Sequence, residues 1–362
     1  MLYRWYLLIA LALVATSLAR SIPRATSLPA CTSLNRRKSW NALTNAERTE
    51  YIRAEKCLMN HAELLGTIPD AQNLWDELHY LHISQGASVH YVGHFLPWHR
   101  YLVRTHEVLL QRVCGYTGAQ PYWDELSDYE SGPLEEATIF DTEVGFGGDG
   151  VGDDHCVRDG PFANTTLHIR ARGENTDYCL SRGFSQENFG WANASNIAQC
   201  FELQEYRDAW ACYNMYPHSA GHAAVGGVVS LASYCPGVKR PHTLPASRVD
   251  FLIRAIMFDP TESNGDPLFY VHHAYLDRLW WQWQRADLPT RLSDMGGPNV
   301  PPQEILDLAG IRAPGKGEGI NDGDPGNETT LGHVLRMNGL VPDVTVADVM
   351  ELEGGVICAE YL

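Results

Sequence analysis

The sequence predicts a mainly α-helical fold with few short strands and long loops held by disulfides. Three observations carry that expectation: several segments with helical apolar periodicity and matching capping residues, nine cysteines, and a glycine-rich middle stretch in which no period lasts. The first helix is expected over residues 44–59, TNAERTEYIRAEKCLM. Its Thr44, followed three residues later by Glu47, forms a capping box ahead of helically spaced apolar positions. A second runs through NLWDELHYLHIS, with Leu74, Leu78, Leu81 and His82 on one side. A third follows in LPWHRYLVRTHEVLLQRVCG, where Pro97 suits the first turn and Gly115 the stop. From about residue 130 to 200, Gly145, Gly147, Gly148, Gly150 and Gly152 alternate with acids, and the stretch reads as a disulfide-pinned surface excursion. Helical pattern resumes from Glu202 to Tyr213 and returns strongly in DPLFYVHHAYLDRLWWQWQRA, with Asp266 as cap and Pro267 as first residue. Beyond residue 288 the chain is rich in Pro and Gly and closes in short apolar runs such as VTVADVM. Neither a repeat nor a linker interrupts it, so one domain is expected.

The 362 residues carry 27 Lys and Arg against 44 Asp and Glu, a net charge of −17. So acidic a surface repels phosphate and argues against nucleic acid or an anionic membrane as partner. With 44% hydrophobic residues the chain has enough apolar surface to fold. The N-terminus, MLYRWYLLIALALVATSLAR, has an early cation at Arg4, an apolar run from Trp5 to Ala15 and small residues at Ser17 and Ala19. That is the pattern of a signal peptide over residues 1–19, and its apolar run is well short of the roughly 20 residues that span a membrane. Residues 20–362 are then the mature, secreted domain. Secretion lets the cysteines pair, although an odd number leaves at least one over, and no CxxC spacing suggests a zinc ribbon or redox motif. Asn164, Asn193 and Asn327 open N-glycosylation sequons in polar, loop-like stretches.

The histidines carry the chemistry. Of fifteen, His79, His82, His90, His94, His99 and His106 fall within 28 residues, and His218, His222, His272 and His273 form a second group. His218 and His222 are an i, i+4 pair, so both imidazoles leave one helix face a turn apart and can share an ion. A third ligand from the tryptophan-rich helix is suggested because a histidine among apolar residues is costly unless its nitrogens are satisfied. Two groups suggest two metals. Imidazole sets without thiolate or carboxylate suit copper, zinc, iron or nickel. The HExxH zinc-hydrolase signature is absent, since His106-Glu107 has no second histidine at 110. Position in the sequence alone leaves His79 competing with His82, and His272 with His273.

The string HYVGHFLPWHR, from His90 to Arg100, resembles the first copper motif of the tyrosinase and catechol oxidase family. PHSAGHAAVGG together with DPLFYVHHAYLDRLWWQWQ resembles the second. The early RRKSW…ERTEYIRAEKCL helix and the CVRDGPF segment are similar to short secreted fungal members, and the resemblance runs from about Arg37 to Arg285. It implies a four-helix-bundle core holding two copper ions in a dinuclear type-3 site. Carried over residue by residue, His82, His90 and His99 hold one copper and His218, His222 and His273 the other, with His79 outside the site and His272 beside it. The implied activity is oxidation of o-diphenols by dioxygen to o-quinones. A haemocyanin-like dioxygen carrier using the same ligands without turnover is the alternative.

Two departures from the family pattern bear on chemistry. Ser88 stands two residues before His90 where many fungal relatives have a cysteine cross-linked to histidine, so no thioether is expected. Ser219 follows His218 where relatives efficient on monophenols tend to carry Asn, which marks Ser219 as a modulator of monophenol activity. The chain ends about 90 residues after His273, too few for the C-terminal shielding domain of latent long forms. Asp277, one turn beyond His273, is expected either to pair with Arg278 or another neighbour or to be a solvated helix acid.

Overall fold

A computed structural model describes residues 27–171, 173–226, 255–309 and 322–362. The expected signal peptide, Cys235, Pro241, His242 and Pro245 lie outside the described residues. The helices are α1 (Asn45–Asn60), α2 (Leu74–Val89), α3 (Phe95–Cys114), α4 (Glu125–Ser131), α5 (Gln186–Phe189), α6 (Ala194–Phe201), α7 (Tyr206–Tyr213), α8 (Ser219–Gly226), α9 (Leu268–Arg285), α10 (Gln303–Ala309) and α11 (Val346–Val349). Strands are short and occur in pairs. A parallel pair joins β1 (Asn35–Arg37) to β8 (Ala359–Tyr361), bringing the two ends of the described chain together. Antiparallel pairs join β2 (Gly150–Val151) to β3 (Cys156–Val157), β4 (Thr166–Leu167) to β5 (Tyr178–Cys179), and β6 (Val334–Leu335) to β7 (Val344–Thr345). The mainly helical expectation holds.

Local chemistry sets the helix ends much as the sequence suggests. In the capping box of α1 the Glu47 N–H donates to Thr44 Oγ1 at 3.3 Å, while Thr44 N–H donates to Glu47 Oε2 at 2.8 Å. Gly115 ends α3 with φ of 66°, a left-handed conformation that costs a glycine little. α9 starts one residue later than expected, at Leu268, whose N–H donates to Asp266 Oδ1 at 3.0 Å. The helix expected from Glu202 begins only at Tyr206, where the Asp294 carboxylate accepts its N–H at 2.8 Å.

The expected surface excursion is only partly one. Phe146, Val157, Phe162 and Leu167 are buried, and a wholly buried Arg182 draws the segment inward. Its guanidinium donates to the Phe146 and Gly147 carbonyls at 3.0 and 2.9 Å and forms a two-pronged pair with Asp266 at 2.7 and 2.9 Å. Four disulfides hold the framework: Cys31–Cys358, Cys57–Cys114, Cys156–Cys179 and Cys200–Cys212. They use every cysteine among the described residues.

The core lies around α3 and α9 and is dense in indoles, with Trp40, Trp75, Trp98, Trp123, Trp280 and Trp283 all buried. A charge network runs through it. Asp277 is neither solvated nor paired with Arg278; it is 3% exposed and accepts from Arg37 Nη1 at 3.3 Å, from Tyr361 Oη at 2.7 Å and from Arg100 Nε. Arg37 also pairs with Glu107 at 3.0 Å, and Arg104 reaches the same carboxylate at 2.8 Å. Arg100 further donates to the Val349 and Met350 carbonyls at 3.1 and 3.0 Å and stacks 3.7 Å above the Trp280 ring. Removing one member of such a network leaves uncompensated buried charge. Asp277→Ala should therefore lose about 3–5 kcal/mol in urea unfolding, where a surface acid such as Glu360 should lose about 1 kcal/mol or less. An Asp277→Ala loss within the surface range would contradict a structural role for the network.

Candidate metal centre

Six imidazoles converge from four stretches of chain. His82 projects from α2, His90 caps the C-terminus of that helix, and His99 lies in the second turn of α3. His218 ends a single π-helical turn, Asn214–His218, and His222 sits one turn on in α8. His273 comes from α9. The π turn has a local cause: Pro217 has no N–H to donate to the carbonyl four residues back, and the backbone widens to accommodate it.

The structure brings His82, His90 and His99 together as one group and His218, His222, His272 and His273 as another, the potential ligand atoms of each lying within 4.8 Å of one another. Ring centroids in the first group are 5.0–5.6 Å apart. In the second, His218 lies 4.5 Å from His222 and 5.2 Å from His273. The groups face each other, with His99 stacked on His273 at 4.3 Å and His90 at 6.3 Å from His218. Phe95 and Phe269 pack between them: Phe95 is 4.7 Å from both His99 and His218, and Phe269 is 5.0 Å from His82 and 4.1 Å from His273.

Hydrogen bonding decides which ring nitrogen points inward. Nδ1 meets a backbone carbonyl in five of the six: His82 with Thr261 at 2.9 Å, His90 with Gly86 at 2.9 Å, His99 with Phe95 at 2.8 Å, His218 with Asn214 at 3.3 Å and His222 with Met257 at 2.6 Å. A carbonyl can only accept, so each Nδ1 carries the proton and each Nε2 keeps a free lone pair. The Nε2 atoms of His82, His99 and His218 are buried with no hydrogen-bond partner, and those of His222 and His273 approach each other at 3.3 Å. Buried nitrogen lone pairs without donors are costly unless an electrophile takes them up. The donor set is all imidazole, open towards a shared space, and fits late first-row metals, copper among them.

Burial keeps these rings neutral, as ligation requires. Desolvation, reinforced by neighbouring imidazoles, holds His82, His99, His218, His222 and His273 well below the ordinary histidine value, and burial brings His90 down to about 4. His79, His94 and His106 have other partners. His79 donates from Nε2 to the Glu262 carbonyl at 3.0 Å and is not among the histidines grouped with His90 and His99. His94 stacks on His333 at 3.8 Å and bonds the Ser88 carbonyl at 2.7 Å; His106 lies between Glu55 and Gln120. A third cluster, Asp154 with Cys156 and Cys179, has both sulfurs committed to a disulfide.

Two residues of the site escaped the sequence reading. Glu125, the first residue of α4, is fully buried, and its Oε1 meets His272 Nδ1 at 2.5 Å. Desolvation, with Asp124 and Asp128 nearby, raises its carboxyl well above the usual range. Tyr91, directly after His90, holds φ at 57°, a left-handed conformation rare for a bulky side chain. The only signal for Glu125 was its place in PYWDEL, and nothing along the chain links that stretch to residue 272. Above the histidines opens a cavity of about 50 Å³. It is lined by His90, His218 and His222, by Tyr91, Phe258 and Pro260, and by the hydroxyl-bearing Ser219 and Ser263.

Comparison with known proteins agrees with this geometry. The family model for the common central domain of tyrosinase matches residues 72–286, the stretch from α2 to α9 that carries every one of these histidines. The tyrosinase-like protein phomQ1 of Diaporthe leptostromiformis is 31% identical over 362 aligned residues, covering 94% of this chain and 79% of its own. Tyrosinase ustQ of Aspergillus flavus is 30% identical over 349, covering 93% and 82%. Among solved structures, a polyphenol oxidase from Thermothelomyces thermophila superposes with a TM-score of 0.67 at 25% identity, over 91% of this chain and 89% of that one. With more than half of its length matched by the family model, and the matched part holding two facing groups of inward-pointing imidazoles, the chain belongs to the tyrosinase family of type-3 copper oxidoreductases.

Proposed function

We propose that this protein is a secreted dinuclear copper phenol oxidase that uses dioxygen to convert o-diphenols, and o-aminophenols, to the corresponding quinones, with weak action on monophenols. The observation that carries the reading is the orientation of five of the six imidazoles, each with its Nδ1–H bonded to a backbone carbonyl and its Nε2 lone pair left free, and the convergence of His273 on the same space. His82, His90 and His99 would hold one copper, and His218, His222 and His273 the other. Bound there, the copper pair supplies dioxygen binding and two-electron oxidation. The protein's own part is to hold the ligands neutral and correctly turned, to keep water out with Phe95 and Phe269, and to admit one flat ring between Tyr91, Phe258 and Pro260. The apolar leader and the four disulfides support export to an oxidising compartment.

Ser219 bears on the choice of phenol. Its hydroxyl lines the cavity but donates to the Asn214 carbonyl at 3.2 Å. A hydroxyl so engaged holds a water less firmly than an amide, and that water is what a monophenol needs to lose its proton on entry. The carboxyl group that reaches this segment, Glu125, is committed to His272. Diphenols, which bind and give up electrons more readily, suffer less.

Metal analysis of the purified protein should find two coppers per chain, and His90→Ala or His222→Ala should each abolish oxidase activity, because both ions must act on one dioxygen. Full activity with a single copper, or with zinc alone, would exclude the dinuclear reading; two coppers with no turnover of any catechol would favour an oxygen carrier. Initial rates on a catechol should exceed those on the matching monophenol by about 10²–10⁴-fold, the usual worth of general-base help, and Ser219→Asn should narrow the gap. Comparable rates in the unsubstituted protein would show that another group supplies the base.

The histidines also make the metal-free protein acid-sensitive. As pH falls, the unfolded chain takes up protons near the ordinary value of 6.5, before the folded imidazoles, with His90 at about 4. Stability is thus full above about 6.5 and declines towards 4. Glu63, Glu125 and Asp128, shifted upward, act in the opposite sense but are outnumbered by the lowered histidines, which also include His79, His94 and His272. Urea unfolding of metal-free protein at pH 7 and pH 5 should give the lower midpoint at pH 5; equal midpoints would refute the assignment.

A further inference from the structure

His272 is a fourth imidazole in a group that needs three. Its ring lies 4.6 Å from His222, 4.9 Å from His273 and 5.7 Å from His218, and its Nε2 is buried without a hydrogen-bond partner. A free ring so placed could turn a nitrogen into the metal space and compete with His273, closing a position that dioxygen or a phenol requires. What restrains it is Glu125, whose Oε1 meets His272 Nδ1.

The restraint is built from three elements. The turn before α4 is fastened to α9 one residue from His272, with Trp123 N–H donating to the Val271 carbonyl at 2.9 Å. Trp123 is itself fixed, its Nε1 donating to Asp128 Oδ2 at 2.8 Å. From the other side comes Gly221, directly before His222 in the segment that starts at His218. A Cβ there would fall 2.2 Å from His272 Nδ1 and 2.7 Å from Glu125 Oε1. Only glycine allows the His218–His222 segment to close on the Glu125–His272 pair, so the pair sets how near that segment comes to α9 and His273.

We propose that Glu125 is a positioning residue for the second histidine group: by holding His272 through Nδ1 it keeps that ring out of the metal space and sets the spacing between His218, His222 and His273. This rests on reading that group as a copper site. A neutral His272 donates Nδ1–H, so an amide oxygen can replace the carboxylate oxygen, while an apolar side chain cannot.

The experiment compares the full-length protein with Glu125→Gln, Glu125→Leu and Gly221→Ala, measuring copper per chain, the rate of copper loss to a chelator, and thermal unfolding of the metal-free forms. Loss of the spacing that the Glu125–His272 pair sets among His218, His222 and His273 should cost as much as removing an outer partner of a metal-binding histidine, about 10–100-fold in affinity. Glu125→Leu and Gly221→Ala should therefore lose copper at least about tenfold faster and retain closer to one ion than two, with Glu125→Gln near the unsubstituted protein. Gly221→Ala keeps the test open if Glu125→Leu fails to fold, since it retains Glu125 and adds one methyl group that must push the Glu125–His272 pair and the His218–His222 segment apart. Copper content of the unsubstituted protein reports on the metal reading alone, and the variant-to-parent ratio on the role of Glu125. Unchanged copper retention in Gly221→Ala, or in a folded Glu125→Leu, would overturn the proposal, and so would a Glu125→Gln as leaky as the leucine variant, because charge rather than position would then be what Glu125 supplies.

Discussion

The buried pairing of Arg100 with Asp277 is the constraint on which the rest of the molecule depends. Arg100 follows His99 on α3, and Asp277 stands one turn after His273 on α9. A bond between them fixes the register of the two helices at the level where the two imidazoles stack at 4.3 Å. A slip of one turn, about 5.4 Å, would break both the ion pair and the facing of the two histidine groups. The same carboxylate receives Arg37 from β1 and Tyr361 from β8, so closure of the chain ends and assembly of the site share one acceptor. The Cys31–Cys358 disulfide secures that closure covalently.

Around this frame the site solves a problem of polarity. Six neutral imidazoles in an aromatic core each have one donor and one acceptor to satisfy. Backbone carbonyls take up five of the donors. Three of those carbonyls lie four residues before their histidine, at Gly86, Phe95 and Asn214, where a helical or π-helical turn delivers them without further design. The other two, Thr261 and Met257, come from the irregular stretch preceding α9. That stretch both lines the cavity through Phe258 and Pro260 and orients a histidine in each group. The acceptors are left pointing at one another, an arrangement whose cost a pair of metal ions would relieve.

Much of this was legible along the chain. The capping box at Thr44 and Glu47, the stop at Gly115 and the i, i+4 pair at His218 and His222 are local patterns, and they reappear in the structure with the geometry their spacing implies. His82 over His79 followed from resemblance, and the structure groups His82, not His79, with His90 and His99. The partners of Asp277 were not identified because Arg37, Arg100 and Tyr361 are 240, 177 and 84 residues away. The 130–200 stretch looked like surface because its glycines and acids hide single apolar residues that a buried arginine pulls inward. Disulfide pairing was undetermined for the same reason: one bridge spans 327 residues and another 12.

What the sequence by itself determined is the inventory and its local geometry: which segments are helical, which histidines share a helix face, and that two imidazole groups exist. Helical periodicity and capping are set by neighbours within about four residues, so one strand of text contains them. Only the tertiary structure decided that the two groups face each other, that Nδ1 rather than Nε2 is spent on carbonyls, and that Glu125 reaches His272 from 147 residues away. Those outcomes depend on which buried donor meets which buried acceptor, and in a low-dielectric core that choice is made by packing across the whole chain.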